Sequence, residues 1–209
     1  GFATATVKTV AGSHSLDYPI LGLANANDLY ILTFNSGGSY RSADAAATLT
    51  PIATNPWGQT HMAGSYIHPL NPEVFWLVDG NNQMLFEGSN GGQVRTNINS
   101  RVTATLGGQN PAGMLMRVEG DDMPILVIGT TGRLAESRDF AQTFTALAFS
   151  NILSGSNRRA FVGLAEDPQV LATASYSSND LAVSLDRGAS WQQRSVGCNI
   201  RGLALTRTS

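Results

Sequence analysis

Three carboxylates stand out by their neighbours. Each follows a serine by two residues and precedes a hydroxyl residue by four: Ser42 and Asp44 with Thr48, Ser137 and Asp139 with Thr143, Ser184 and Asp186 with Ser190. Aspartates beside hydroxyls can serve as general acids or bases, or as hard oxygen ligands for a cation. They can equally accept backbone N–H groups and hold turns. A second set of residues suits ligand contact. Trp57, His61, Gln109, Asn157, Arg158, Arg159, Asn199 and Arg201 lie in or beside Gly-, Pro- and Asn-rich stretches. Their indole, amide and guanidinium groups fit sugar hydroxyls, an apolar sugar face, a carboxylate or a polar protein surface. Trp57, between Pro56 and Gly58, is either a stacking platform or a side chain folded back on its own sheet. Arg158, Arg159 and Arg201 either hold an anionic group or are solvated loop arginines. His14, His61 and His68 show no metal-ligand spacing. Cys198, the single cysteine, has no histidine close in sequence and reads as a buried or inert thiol. No metal and no cofactor are expected.

The elements that carry these residues are set by a repeat. Ser42, Ser137 and Ser184 each open the pattern S-x-D-x-[GA]-x-[ST]-[apolar], which ends on Leu49, Phe144 and Trp191 and has its glycine at Gly188 in the last copy. Ser89-Asn90-Gly91-Gly92 is a degenerate copy, one residue short and without the aspartate. The serines fall 47, 48 and 47 residues apart, at 42, 89, 137 and 184. A fixed period of this size marks a repeat architecture.

Before each serine come an apolar run, a turn of Gly, Asn or Ser, and a second short run. In the second copy these are Val74 to Val78, Asp79-Gly80-Asn81-Asn82, and Met84-Leu85-Phe86. This pattern predicts antiparallel hairpins. Small apolar segments recur upstream as Leu21-Gly22-Leu23-Ala24, Met62-Ala63-Gly64-Ser65, Ala112-Gly113-Met114-Leu115 and Phe161-Val162-Gly163-Leu164, and once more as Gly202-Leu203-Ala204-Leu205. They suit an innermost strand near an axis. A fourth, outer strand follows each motif, and four strands per unit make a propeller blade. No segment predicts a helix longer than a turn.

The motif S-x-D-x-G-x-[ST]-W is similar to the Asp-box, or bacterial neuraminidase repeat, of sialidases and other β-propellers. The resemblance covers most of the chain. It implies that each box lies on the turn between the third and fourth strands of a blade, with Ser and Asp bonded to turn N–H groups and the aromatic packed between sheets. Regular spacing around a ring keeps Asp44, Asp139 and Asp186 apart, so they cannot share one glycosidic bond. They read as structural staples. A sialidase would also need an arginine cluster, a Tyr/Glu pair and an acidic aspartate, and these are not placed in this sequence.

The expected architecture is all-β: one small propeller over 1–209 with about four four-stranded blades, covering about 20–54, 62–100, 112–149 and 160–197. Segments 3–10 and 201–207 read as terminal strands that close the ring or pair with a neighbour. The same family order places the links between blades and the central hairpin turns on the face opposite the boxes.

Composition narrows the function. Charged residues are 13% of the chain and the net charge is −2, so no field holds a nucleic acid. The apolar runs are too short to cross a bilayer as helices, and a soluble protein is expected. The residues after Gly1 lack the pattern of a secretory leader. The reading is a non-enzymatic binding or structural propeller of a virion, tail fibre or cell surface, self-associating or touching protein partners or glycans. A sialidase-like glycoside hydrolase is the first alternative. The second is an assembly scaffold, like the Asp-box propellers that help build photosystems.

Overall fold

The computed structural model describes residues 27–32, 39–52, 57, 62–147, 159–164, 166–175, 179–198, 200 and 202–205, with only the backbone of Arg159. Each repeat forms an antiparallel sheet whose strands are adjacent both in sequence and in space. The first contains β1 (Leu29–Ile31), β2 (Ser39–Ser42) and β3 (Thr50–Ile52). Its expected innermost strand at Leu21 to Ala24 lies outside the described residues, as does segment 3–10. The second contains β4 (Met62–Ile67), β5 (Phe75–Asp79), β6 (Met84–Ser89) and β7 (Val94–Asn97). The third contains β8 (Pro111–Met116), β9 (Ile125–Gly129), β10 (Leu134–Ser137) and β11 (Thr145–Ala146). In the fourth are β12 (Arg159–Leu164), β13 (Asp167–Ser175), β14 (Asp180–Ser184) and β15 (Gln192–Ser195). The chain is a small four-bladed β-propeller.

Burial follows position in the blade. β5 and β9 are buried along their whole length because a neighbouring blade covers each face, which explains their unbroken apolar sequences. The outer strand β15 is exposed throughout and reads Gln-Gln-Arg-Ser. Among the described residues the core divides into three clusters, each at the seam between consecutive blades. Tyr30, Leu32 and Ile52 of blade 1 meet Trp57, Phe75, Leu77 and Phe86. Trp76, Val78 and Leu85 of blade 2 meet Met114, Ile125, Val127 and Ala141. Leu126, Ile128 and Leu134 of blade 3 meet Phe161, Leu171 and Trp191 of blade 4.

The innermost strands need small residues because backbones approach each other at the axis. A β-carbon on Gly64, at φ +125°, would lie 2.5 Å from the carbonyl oxygen of Met114. β4 and β12, two blades apart, still come within 8 Å between Cα atoms. Strands two blades apart come this close only when the ring has few blades.

Two further features complete the described fold. Residues 99–108 form a 3-10 helix (Asn99–Arg101) and further turns, which set Ile98, Val102 and Leu106 four apart on one buried face in the second seam. Of the expected terminal strand 201–207, residues 202–205 are described and are not part of a strand. Instead Gly202 and Leu203 line the axis beside Gly64, Met114 and Phe161. Among the described residues no helix is long and apolar enough to cross a membrane.

Candidate functional site

The three Ser-x-Asp turns are built on the same hydrogen-bond net. The Ser42 hydroxyl donates to Asp44 Oδ1 at 2.8 Å and accepts from the N–H of Ala46 at 2.9 Å. Asp44 in turn accepts from the N–H and the hydroxyl of Thr48 at 2.8 and 2.7 Å. The same bonds tie Ser137, Asp139, Ala141 and Thr143. They recur at Ser184, Asp186, Gly188 and Ser190. Hydrogen bonds from Ser190, first its hydroxyl and then its N–H, hold the Asp186 carboxyl below its ordinary range. At Asp139 burial pushes the other way, but the bonds from Thr143 and Ser137 outweigh it and the carboxyl is again lowered. These carboxylates accept what their own turns donate. The shorter turn at Ser89 closes through backbone bonds, from Gly92 N–H to Ser89 and from Gln93 N–H to Asn90.

Each turn contains consecutive residues in the left-handed region: Ala45 and Ala46, Asn90 to Gly92, Phe140 and Ala141, Arg187 and Gly188. In the later three blades these residues meet the preceding blade. Phe140 stacks on His68 at 4.1 Å, and His68 lies 5.4 Å from Trp76. Arg187 reaches Glu119 at 3.1 Å and also binds Glu136. Arg138 adds bonds to Glu136, Asp122 and Glu119, so blades 3 and 4 are joined by an ionic net. Arg117, buried beneath it, donates to the carbonyls of Pro168 and Leu164 in blade 4. At the first seam Arg41 pairs with Asp28 of its own blade and with Glu73 of the next. Burial lowers the pKa of His68, and burial also pushes the Tyr30 phenol up.

Of the links named from the sequence, 107–111 lies at the opposite end of the blades, against the hairpin turns of blades 2 and 3. Trp57 is not a stacking platform: it is fully buried, its Nε1 donates to Gly92 O at 2.8 Å, and its ring lies 4.9 Å from that of Phe75. The indole folds back because the first seam offers it both an apolar pocket and a carbonyl. Gln109 is half-buried and its Oε1 accepts from Thr131 N–H at 3.0 Å, while Asn110 donates to Gln83 at 3.0 Å. Link and hairpin turn therefore share one face, and Gln109 helps to close it. Arg159 begins β12 opposite Ser175. His61, Asn157, Arg158, Asn199 and Arg201 lie outside the described residues. Cys198, read as buried or inert, is exposed, because the chain after β15 runs along the surface. Trp191 is buried in the third seam.

Two cavities accompany these turns. One of about 380 Å³ opens at the box-turn end between blades 1 and 2, beside Arg41, Glu73 and Gln93. The other, of about 210 Å³, lies at the axis. Neither was legible in the motif spacing, since each is walled by residues from separate repeats. Among the described residues, no group of three or more His, Cys, Asp or Glu side chains could hold a metal ion.

No family model matches the chain, and no curated protein matches it. Among solved structures it is similar to YCF48 from Cyanidioschyzon merolae, with 12% identity and a TM-score of 0.56 over 95% of this chain and 62% of that one. A GH74 enzyme from Niastella koreensis gives 17% identity and a TM-score of 0.53 over 83% of this chain and 23% of that one. Kuenenia stuttgartiensis hydrazine synthase gives 12% identity and a TM-score of 0.51 over 86% and 48%. The shared property at such identities is the β-propeller fold. The chain spans less than two thirds of the length of each of these proteins.

Proposed function

We propose that the chain is a non-enzymatic binding or structural propeller of the Asp-box type, acting at a virion, tail-fibre or cell surface through protein partners, self-association or glycans. One observation carries this reading: among the described residues, the aspartates of the repeat and three arginines hold turns and join blades. Asp44, Asp139 and Asp186 accept bonds from their own turns, and Arg41, Arg117 and Arg187 tie one blade to the next. A rigid frame of this kind presents surfaces rather than a reacting centre.

The proposal extends to the whole of 1–209 as one ring, which the terminal segments 3–10 and 201–207 complete in the chain or through a neighbouring copy. The position of Gly202 and Leu203 at the axis supports that role. Trp57, His61, Gln109, Asn157, Arg158, Arg159, Asn199 and Arg201 remain the sequence-derived ligand candidates. The burial of Trp57 and the turn bond of Gln109 weigh against those two.

A glycoside hydrolase is the second reading, favoured by one arrangement: Glu119 and Glu136 both reach Arg187. Retaining glycosidases need two carboxyl groups roughly 5 Å apart facing one bond. Here a guanidinium occupies the space between the two acids, which supports a structural role. An assembly scaffold is the third reading. A glycan array together with a fluorogenic glycoside panel on the purified chain tests the choice. Binding without turnover is expected, and turnover lost on replacing Glu119 or Glu136 overturns the non-enzymatic reading.

A further inference from the structure

The blades act as controls for one another at their seams. At the first left-handed position of the box turn, blade 3 places Phe140 and blade 4 places Arg187, and each side chain reaches the preceding blade. In blade 2, whose left-handed run starts one residue earlier at Asn90, the residue matching Arg187 by its backbone bond to the preceding strand segment is Gly91, with no side chain to fill the seam. Arg138, which shares Glu119 and Glu136 with Arg187 at the edge of the third seam, corresponds to Ala43 at the first. Two small residues therefore stand where the later seam has two arginines, and the cleft of about 380 Å³ is the result. That volume lies in the range of roughly 300–1,000 Å³ typical of small-ligand sites.

The wall is chemically mixed. Ile52 and Pro51 supply apolar surface, while Thr50, Asn90, Gln93 and Glu73 supply hydroxyl, amide and carboxylate groups. Arg41 also lines the cleft, and its Nε is buried without a hydrogen-bond partner. The guanidinium is matched by two carboxylates, Asp28 and Glu73, so the local charge does not favour an anion. A β-carbon on Gly91 would stand 2.9 Å from Arg41 Nη1 and 3.0 Å from Glu73 Oε2, so the glycine leaves this pair room. Amides and hydroxyls both donate and accept, as sugar hydroxyls do, and the aliphatic wall suits the C–H face of a ring.

We infer that the cleft between blades 1 and 2 is a binding site for neutral pyranose units. The inference rests on the binding role proposed above and adds a place and a ligand class to it. The place is the box-turn end, opposite the link that holds Gln109 and Asn110.

The probes are methyl glucoside, galactoside and mannoside, with the matching uronic acids as anionic controls, titrated into labelled protein and followed by amide shifts. A neutral sugar should move the amides of Thr50, Asn90 and Gln93. Ala43→Arg, which copies the third repeat, and Asn90→Ala should each weaken binding by about tenfold or more, the loss expected from one or two hydrogen bonds or a blocked cleft. Unchanged melting temperatures show that both variants stay folded. A preference for uronic acids overturns the neutral class. Shifts confined to Gln109 and Asn110, or no binding to any of these sugars, overturn the cleft. The broader binding role then survives if a glycan or protein partner is found on another surface, and it fails only if none is.

Discussion

Gly188 of blade 4 faces Leu134 of blade 3 so closely that a β-carbon on the glycine would stand 2.2 Å from Leu134 Cδ1. The box turn is therefore a joint between blades as well as a hairpin. The glycine has two reasons to be there, its φ of +89° and the neighbouring leucine, which is 1% exposed and has nowhere to move.

Gly188→Ala should lower stability by about 2–4 kcal/mol, combining left-handed strain with overpacking. The third and first turns give contrasting cases, since they already hold alanine at φ 62° and 65°. Ala46→Gly, at a half-exposed site, should raise stability by about 0.5–1 kcal/mol as strain relief exceeds the entropy cost of glycine. Ala141→Gly should be close to neutral, because it also removes a fully buried methyl group worth about 0.8 kcal/mol. Urea midpoints at constant slope measure all three, and an Ala46→Gly variant less stable than the parent contradicts the strain argument.

Acid should loosen the turns in a defined window. Folded Asp139 and Asp186 bind protons more weakly than in the unfolded chain, where the ordinary value is near 3.8. Their contribution is complete above that value and disappears as pH falls through the lower folded values. Melting temperature should drop below about pH 4, and the Asp186→Asn variant should show a shallower drop. Parallel pH profiles for parent and variant count against the net at this turn.

Trp57 should behave as a core residue. Trp57→Ala is expected to cost about 3–5 kcal/mol, and Trp57→Phe about 1–3 kcal/mol through the unpaired Gly92 carbonyl. Trp57, Trp76 and Trp191 are all buried, so iodide should quench little of the tryptophan emission in the native protein. A quenchable fraction that vanishes in Trp57→Phe would return the indole to the surface.

Arg187 should be worth more to the fold than an ordinary surface charge. Its removal leaves Glu136, with a side chain 7% exposed, to Arg138 alone. Arg187→Met should cost about 2–4 kcal/mol, somewhat below the full value for a buried pair because the arginine is partly solvated. A double-mutant cycle with Glu136→Gln should show a coupling of about 1–3 kcal/mol. Additive effects would mean that the two side chains do not act as a pair.

The strand order and the box turns could be read from the chain because their causes are local. Apolar runs between turn residues select strands. Ser, Asp and a hydroxyl residue at fixed offsets carry most of the turn net among themselves, so that from Ser184 to Ser190 the backbone reaches outside only through Arg187 N–H to Gln169. The stripe of Ile98, Val102 and Leu106 was legible in principle at its spacing of four, but the surrounding Thr, Gly and Asn residues masked it.

What each exposed-looking side chain faces was settled only when blades packed. Trp57 sits in a loop by sequence and in a core by structure, because Gly92 and Phe75, 35 and 18 positions away, form its pocket. Arg187 finds Glu119 and Glu136 across a seam, 68 and 51 positions back. Gly91 opens a cleft in one seam where Arg187 closes another, although both occupy the same place in the repeat. Period and residue type determine the unit, whereas the chemistry of a seam depends on side chains from two units at once, and that pairing exists only after the ring has assembled.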